Sequence, residues 1–290
     1  MFEPVEKGVT IRQPSTANLM LDSADRSSGN AANFSIQRNN SILNGFFTRI
    51  GTTEVVLEWN TSNISADLAN NFITVDLSGS VSGNPAGATL VAPTGFYNQA
   101  ELLDWLVIQL NDLSGGVTPS PHWSIQATNN GYYALGPSAD VYAEFSGPIA
   151  DALGLTNGSL QEFGPTALVE AILLPDADLR PFRYLDFISP QLTYNQDLKD
   201  NTTSTFARDV LCRWYFAWDE APPLDKYGFP ILMGYTAFSA RRTFSPPKQI
   251  RWDPAQPVGN ITFQVYSNLN TIASLSFNTN WLMTLQVSEV

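Results

Sequence analysis

The chain has 290 residues, 43% of them apolar and only 14% charged, with a net charge of −12 and a sequence pI of about 4.4. That is enough apolar material for one large β domain or two small ones. An acidic chain with no lysine/arginine cluster, and no basic arm in its first thirty residues, excludes packaging of a genome by direct phosphate contact, which needs clustered cations to release counterions.

Several further classes fall away on residue counts. A single cysteine, Cys212, cannot form an intrachain disulfide. Met1-Phe2-Glu3-Pro4-Val5-Glu6 lacks the charged-then-apolar pattern of an export signal, and no run approaches the ~20 apolar residues of a membrane span. Folding in a cytosol-like compartment is the expectation. The sequons at Asn33, Asn60, Asn63 and Asn201 then read as by-products of a surface rich in Asn, Ser and Thr. Charge well below the usual ~25% lets neighbours cover that surface at little desolvation cost. Such a composition suits an assembled subunit, and it equally fits a secreted β protein with a polar surface.

In chain order, the stretch through about Asn33 is polar and reads as an extended arm. Thr53-Glu54-Val55-Val56-Leu57-Glu58-Trp59 is rich in β-formers, and Phe72 to Leu77 puts Ile73, Val75 and Leu77 on one face. A Gly/Ser loop over 78–87 leads to a short strand over 88–92. One segment is helical: Asn98 caps it with Glu101 three residues on, and Leu102, Leu103, Leu106, Val107 and Leu110 form a stripe ending before Gly115-Gly116. Strands follow at 122–128, 132–135 and 141–145. A helical turn over 148–153 stops at Gly154.

The second half returns to strands at 166–174, 182–188 and 208–218. In the last of these Val210, Cys212, Trp214, Phe216 and Trp218 share a face opposite Leu211, Arg213 and Tyr215, the pattern of a central strand packed on both sides. Residues 261–266 and 281–287 alternate well, and the final strand runs almost to Val290, which leads us to expect no further domain downstream. Prolines at 222–223, 246–247 and 254–257 fall between strands, where a missing N–H does no harm. Many strands, frequent turns and one helical insertion predict a mainly β sandwich with Greek-key connections.

Little chemistry is on offer. His122 is the only histidine, and no Gly-x-Ser-x-Gly elbow accompanies it, so it reads as a loop-edge residue rather than a base. Cys212, embedded in an apolar strand, reads as core rather than nucleophile. Zinc needs several Cys or His ligands. Asp176, Asp178, Asp219 and Glu220 could offer calcium only oxygens, outside the twelve-residue loop pattern. Paired carboxylates could serve a glycosidase, though unpaired surface acids explain them as well. Trp105, Trp123, Trp214, Trp218, Trp252 and Trp281 read first as core, with a sugar-stacking platform as the alternative. No catalytic residue, metal ligand or cofactor is assigned. Arg241, Arg242, Lys248, Arg251 and Trp252 stand out as candidate interface residues. Adjacent arginines on a strand face opposite ways, so one can pair internally while the other reaches a neighbour, unless both are simply solvated.

Two groups of residues carry a resemblance. The first is Leu19-Met20-Leu21-Asp22-Ser23-Ala24-Asp25-Arg26 followed by Asn33-Phe34-Ser35-Ile36. The second is Pro93-Thr94-Gly95-Phe96-Tyr97, the helix to Leu110, Asn129-Asn130-Gly131, and Leu153-Gly154-Leu155. Together, over about the first 160 residues, they resemble single-jelly-roll minor capsid and penton proteins of double-stranded DNA viruses of the adenovirus-like and giant-virus lineage. The resemblance implies a polar arm over 1–33 and a jelly-roll β-sandwich over 34–290 with a helical insertion near 93–155. It also implies a non-enzymatic virion protein at a vertex or between capsomers, and a homo-oligomer, a pentamer being one form. Its partners would be a major capsid protein and other minor capsid proteins, with no nucleic-acid contact, and assembly would occur in host cytoplasm or a virus factory. Members of this group often have a longer external domain, and no spike-like segment is visible here. A β-sandwich receptor- or carbohydrate-binding module of a fibre or secreted protein is the alternative, and an acid-type hydrolase a third.

Overall fold

The computed structural model describes residues 16–37, 47–78, 87–114, 121–128, 132–156, 159, 161–165, 167, 171–174, 177–193, 210–218, 221–251, 259–269, 271–273, 275 and 278–289. The chain begins with β1 (Thr16–Asp22), β2 (Ser28–Asn30), β3 (Asn33–Gln37) and the long β4 (Arg49–Trp59). It continues through β5 (Phe72–Asp76), β6 (Ala88–Val91), α1 (Gln99–Ser114), β7 (Trp123–Ala127), β8 (Tyr133–Pro137), β9 (Val141–Ser146), α2 (Pro148–Leu153), β10 (Gln161–Phe163) and β11 (Ile172–Leu174). It ends with β12 (Tyr184–Ile188), β13 (Val210–Tyr215), β14 (Phe238–Thr243), β15 (Gln249–Arg251), β16 (Asn260–Ser267) and β17 (Asn280–Ser288).

Two five-stranded antiparallel sheets face each other. One runs β1-β17-β4-β14 with β15 also on β4, and the other runs β13-β12-β16-β3-β2. Along the chain, β1, β4, β14 and β17 fall in the first sheet and β3, β12, β13 and β16 in the second, so the polypeptide repeatedly crosses between layers. This is the eight-strand, double Greek-key wrapping of a jelly roll. The facing sides alternate as a half-buried sheet must: Val55, Leu57, Trp59, Trp281, Met283 and Leu285 meet Phe34, Phe187, Phe263 and Val265 in one core. Trp281 anchors it, with ring centroids 5.3 Å from Phe34, 4.9 Å from Phe187 and 5.5 Å from Phe263.

The crossing from β1 to β3 explains the opening motif in physical terms. Asp22 Oδ1 accepts from the Ala24 N–H at 2.7 Å and caps a one-turn 3-10 helix over Ser23–Asp25. Arg26 ties that turn to the Ser23 carbonyl at 2.7 Å, and buried Ser23 Oγ accepts the Trp281 N–H at 2.9 Å. Asn30 Oδ1 then accepts from both Ala32 and Asn33 at 2.9 Å, forming the turn into β3. The polar segment before Asn33 is therefore not an extended arm from Thr16 onward. It pairs residue by residue with β17, Thr16 opposite Ser288 through Asp22 opposite Leu282. Only Leu19 and Leu21 on this edge strand are drawn inward, so its alternation is faint. Residues 1–15 lie outside the described residues.

Between β4 and β12 a second core assembles, drawn from Ile64 to Leu179 together with Tyr235. The insertion is thus larger than the expected 93–155. It carries a four-stranded sheet, β10-β9-β5-β6, and a three-stranded sheet, β11-β8-β7. Leu102, Leu103, Leu106 and Leu110 of α1 are fully buried in this core, as the helical stripe requires. The capping box is reciprocal: Asn98 Oδ1 accepts the Glu101 N–H and Glu101 Oε2 accepts the Asn98 N–H, both at 2.9 Å. Asn63 pins the preceding turn by donating to Tyr97 O at 2.7 Å and accepting from Tyr97 N at 2.8 Å. Gly154 closes α2 at φ 71°, and the Leu155 N–H reaches Ala150 O at 2.8 Å. The expected turn at Asn129-Asn130-Gly131 lies outside the described residues. The connection between β13 and β14 packs Phe229, Ile231, Leu232 and Tyr235 on the second core. Tyr133 also donates to Asp225, and Lys226 pairs with Asp104.

Candidate assembly interface

Sheet edges and outer faces are where a closed sandwich can meet other molecules. One lateral side of the jelly roll ends in β1 and β2, the opposite side in β13 and β14–β15. Contrary to the central placement expected for residues 208–218, β13 is an edge strand, paired only with β12 among the described residues. Its two-sided apolarity has a local cause. A register shift between Phe187 and Ile188 leaves Leu211 as an extra residue, so Leu211 is buried along with Cys212 and Trp214, while Arg213 and Tyr215 face outward.

Beside β13 the two sheets part around a cleft of about 340 Å³. Val210, Leu211, Cys212, Phe244 and Pro246 supply its apolar wall, with Thr52, Arg213, Tyr215 and Lys248 around them. Lys248 Nζ donates to Val210 O at 3.1 Å, and no described carboxylate pairs with it. Burial pushes the Cys212 thiol pKa far up, which removes the thiolate a nucleophile requires.

The outer face of the second sheet centres on Asp186, 3% exposed although it faces away from the core. Arg213 satisfies it in two-pronged fashion, Nε to Oδ1 at 2.6 Å and an Nη to Oδ2 at 3.0 Å. The guanidinium lies 4.0 Å from the Tyr184 ring centroid and 6.0 Å from that of Tyr215. In the sheet register Asp186 is also opposite Tyr266, and Tyr266 is bridged to Ile272. Tyr184, Arg213, Tyr215, Tyr266 and Ile272 therefore form one face, with Tyr215 50% and Ile272 41% exposed. Tyrosine and arginine around a desolvated centre are the side chains enriched in protein interfaces.

The candidate basic residues separate. Arg242 turns inward, donating to Ala217 O at 2.8 Å and sitting 5.0 Å over the Trp214 ring. Arg241 turns outward and pairs with Glu54 on the neighbouring strand. Lys248 lines the cleft. Arg251 is exposed directly opposite Arg49 on β4, a like-charge neighbour. Trp252 lies outside the described residues. Of the other candidates, Trp123, Trp214 and Trp281 are core, and His122 is exposed. Asp178 is held by Arg180 at 2.7 Å and Arg183 at 3.5 Å. Asp176, Asp219 and Glu220 lie outside the described residues, and no group of three His, Cys, Asp or Glu side chains clusters among those described. The Asp186–Arg213 centre escaped sequence reasoning. Its signal is a lone acid in Tyr184-Leu185-Asp186-Phe187-Ile188 and a lone base in Leu211-Cys212-Arg213-Trp214, two apolar strands that each carry one charge.

Charge is segregated along the chain. No lysine or arginine occurs between Arg49 and Arg180, and residues 60–179 hold twelve of the 27 acidic residues. The remainder has fifteen acidic against fifteen basic residues, so the insertion carries the whole net charge.

The strand order defines a jelly-roll-like β-sandwich with an insertion. No protein-family model matches the sequence, and no curated protein matches it. Among solved structures, the crystal structure of a selenomethionine-labelled mavirus penton protein is similar, with a TM-score of 0.51 at 9% identity. The alignment covers 96% of this chain and 100% of that one, so the likeness spans the insertion as well as the jelly roll.

Proposed function

We propose that this chain is a structural subunit of a viral shell, built to meet copies of itself and other capsid proteins rather than to turn over a substrate. The observation that carries the reading is the jelly-roll strand order, with its insertion, in a fold similar to a penton protein along nearly its full length. The lateral edges are chemically different, β1–β2 on one side and β13 with its cleft on the other. Contacts between unlike surfaces are heterologous and close into rings when the rotation permits, and a five-fold ring at a vertex fits this. The insertion offers phosphate no lysine or arginine, in keeping with a virion protein that leaves the genome to others. Its partners are further copies of itself, a major capsid protein and other minor capsid proteins. Its location is the virion, with assembly in the host cytoplasm or a virus factory.

Size-exclusion chromatography with light scattering tests this, together with a map of intact particles. Closed oligomers and density at a vertex or between capsomers are expected. A strictly monomeric protein absent from particles overturns the reading. The outer face formed by half-buried Tyr184 and Tyr266 and exposed Tyr215 also favours a second reading, a glycan- or receptor-binding module. Glycan-array binding lost in Y215A supports it, and an array without hits removes it.

A further inference from the structure

We infer that the edge of β13 left unpaired among the described residues, with its cleft, receives as an added strand the residues preceding β1 of an adjacent copy. The inference rests on the shell-subunit reading and specifies one contact within it.

Three observations converge. The first is backbone chemistry. The Phe216 N–H donates to Arg183 O at 3.1 Å, and antiparallel pairing alternates. Trp214 and Cys212 therefore face β12, while the Arg213 N–H and C=O and the Tyr215 N–H point away from it. An edge of this kind is a template for an incoming strand, with main-chain bonds supplying affinity and side-chain pockets specificity. The second is the cleft, with an apolar wall of Val210, Leu211, Cys212, Phe244 and Pro246 and, at Lys248, an ammonium no described carboxylate neutralises. Its occupant should place apolar side chains on one face and carry an acid.

The third is placement. Thr16 shares a cross-sheet row with Ser288, Arg49 and Arg251. Ile50 and Ile250 form the next row and Gly51 and Gln249 the one after it, beside Thr52 and Lys248 of the cleft. The chain preceding β1 therefore joins the sandwich about 10 Å along the strands from the cleft residues, on the opposite lateral side. A rotational ring keeps all copies at one height and sets the β1 side of each against the β13 side of the next. Fifteen residues precede Thr16, a reach of about 50 Å when extended. Their sequence has the needed chemistry: Val9 and Ile11 alternate with Thr10 and Arg12, and Glu3 and Glu6 lie upstream.

The test adds a fluorescein-labelled peptide of residues 1–15 to the full-length protein and reads anisotropy. In parallel, light scattering compares full-length protein with a variant lacking residues 1–15. We expect saturable binding, weakened about tenfold or more by K248E, as loss of an interfacial charge pair does. A peptide carrying E3K and E6K should bind K248E better than wild type, and N-methylation of alternate peptide residues should abolish binding. The truncated variant should dissociate at higher protein concentration than the full chain. Absent peptide binding, or binding indifferent to both K248E and N-methylation, overturns the inference. So does equal oligomer stability with and without residues 1–15, and in each case a shell subunit that still enters particles survives. Conversely, K248E-sensitive, main-chain-dependent binding by a protein that never forms rings keeps the site and refutes the ring.

Discussion

Truncating the two partners of the Asp186–Arg213 pair should cost very different amounts. The Asp186 side chain is 4% exposed and that of Arg213 30%. In R213M both carboxylate oxygens lose their donors inside the sheet face. Leaving one member of a buried pair alone costs about 3–5 kcal/mol. In D186N the side-chain oxygen still accepts one bond and water reaches the guanidinium, so the cost is that of one charge-assisted bond, about 1.5–3 kcal/mol. The double variant D186L/R213M replaces the pair by apolar groups and should recover to within about 1–2 kcal/mol of wild type. Urea unfolding followed by tryptophan fluorescence reads this, because Trp214 sits on the same strand. With a slope of about 2 kcal/mol per molar, R213M should lower the midpoint of the jelly-roll transition by roughly 1.5–2.5 M. Equal penalties for the two single variants, or a double variant as unstable as their sum, would refute the argument that a desolvated carboxylate governs this face.

Other outcomes follow from single features. Burial opposes ionisation of Asp178, but its bonds to Arg180 and the charges of Arg180 and Arg183 prevail and hold its carboxyl below the usual aspartate value. A depressed pKa contributes stability above the unfolded value of about 3.9 that is lost as pH falls through the lower folded value. D178N should therefore flatten the fall in thermal midpoint below about pH 4, and an unchanged acid slope would count against the pairing. Cys212 should resist maleimide at neutral pH until the protein is unfolded, as burial drives its pKa up; rapid native labelling would contradict that. G164A should loosen the insertion by about 1–3 kcal/mol. Gly164 adopts φ +141°, and a Cβ there would stand 2.6 Å from the Asp140 Cα. Hydrogen exchange should rise around β9 and β10, with β17 unaffected.

How far the sequence spoke can be seen strand by strand. Alternation placed Ile73, Val75, Trp281, Met283 and Leu285 on buried faces, and local chemistry placed the Asn98–Glu101 box and the Gly154 cap, because each depends only on residues a few positions apart. The shortage of histidine, cysteine and clustered bases likewise points away from common chemistries on composition alone. A period of two says which face a residue takes but not which strand lies alongside. The pairing of Thr16–Asp22 with Asn280–Ser288, the edge position of β13 and the reach of the insertion from Ile64 to Leu179 were therefore beyond it. The same limit applies to function. Arg241 and Arg242 could be assigned opposite faces from adjacency, but that one would hold Glu54 and the other the Ala217 carbonyl was decided by neighbours far along the chain. Asp186 and Arg213, 27 residues apart, became a single centre only when antiparallel registry set their strands side by side. Registry of that kind is fixed by packing of the whole sandwich, to which no local window has access.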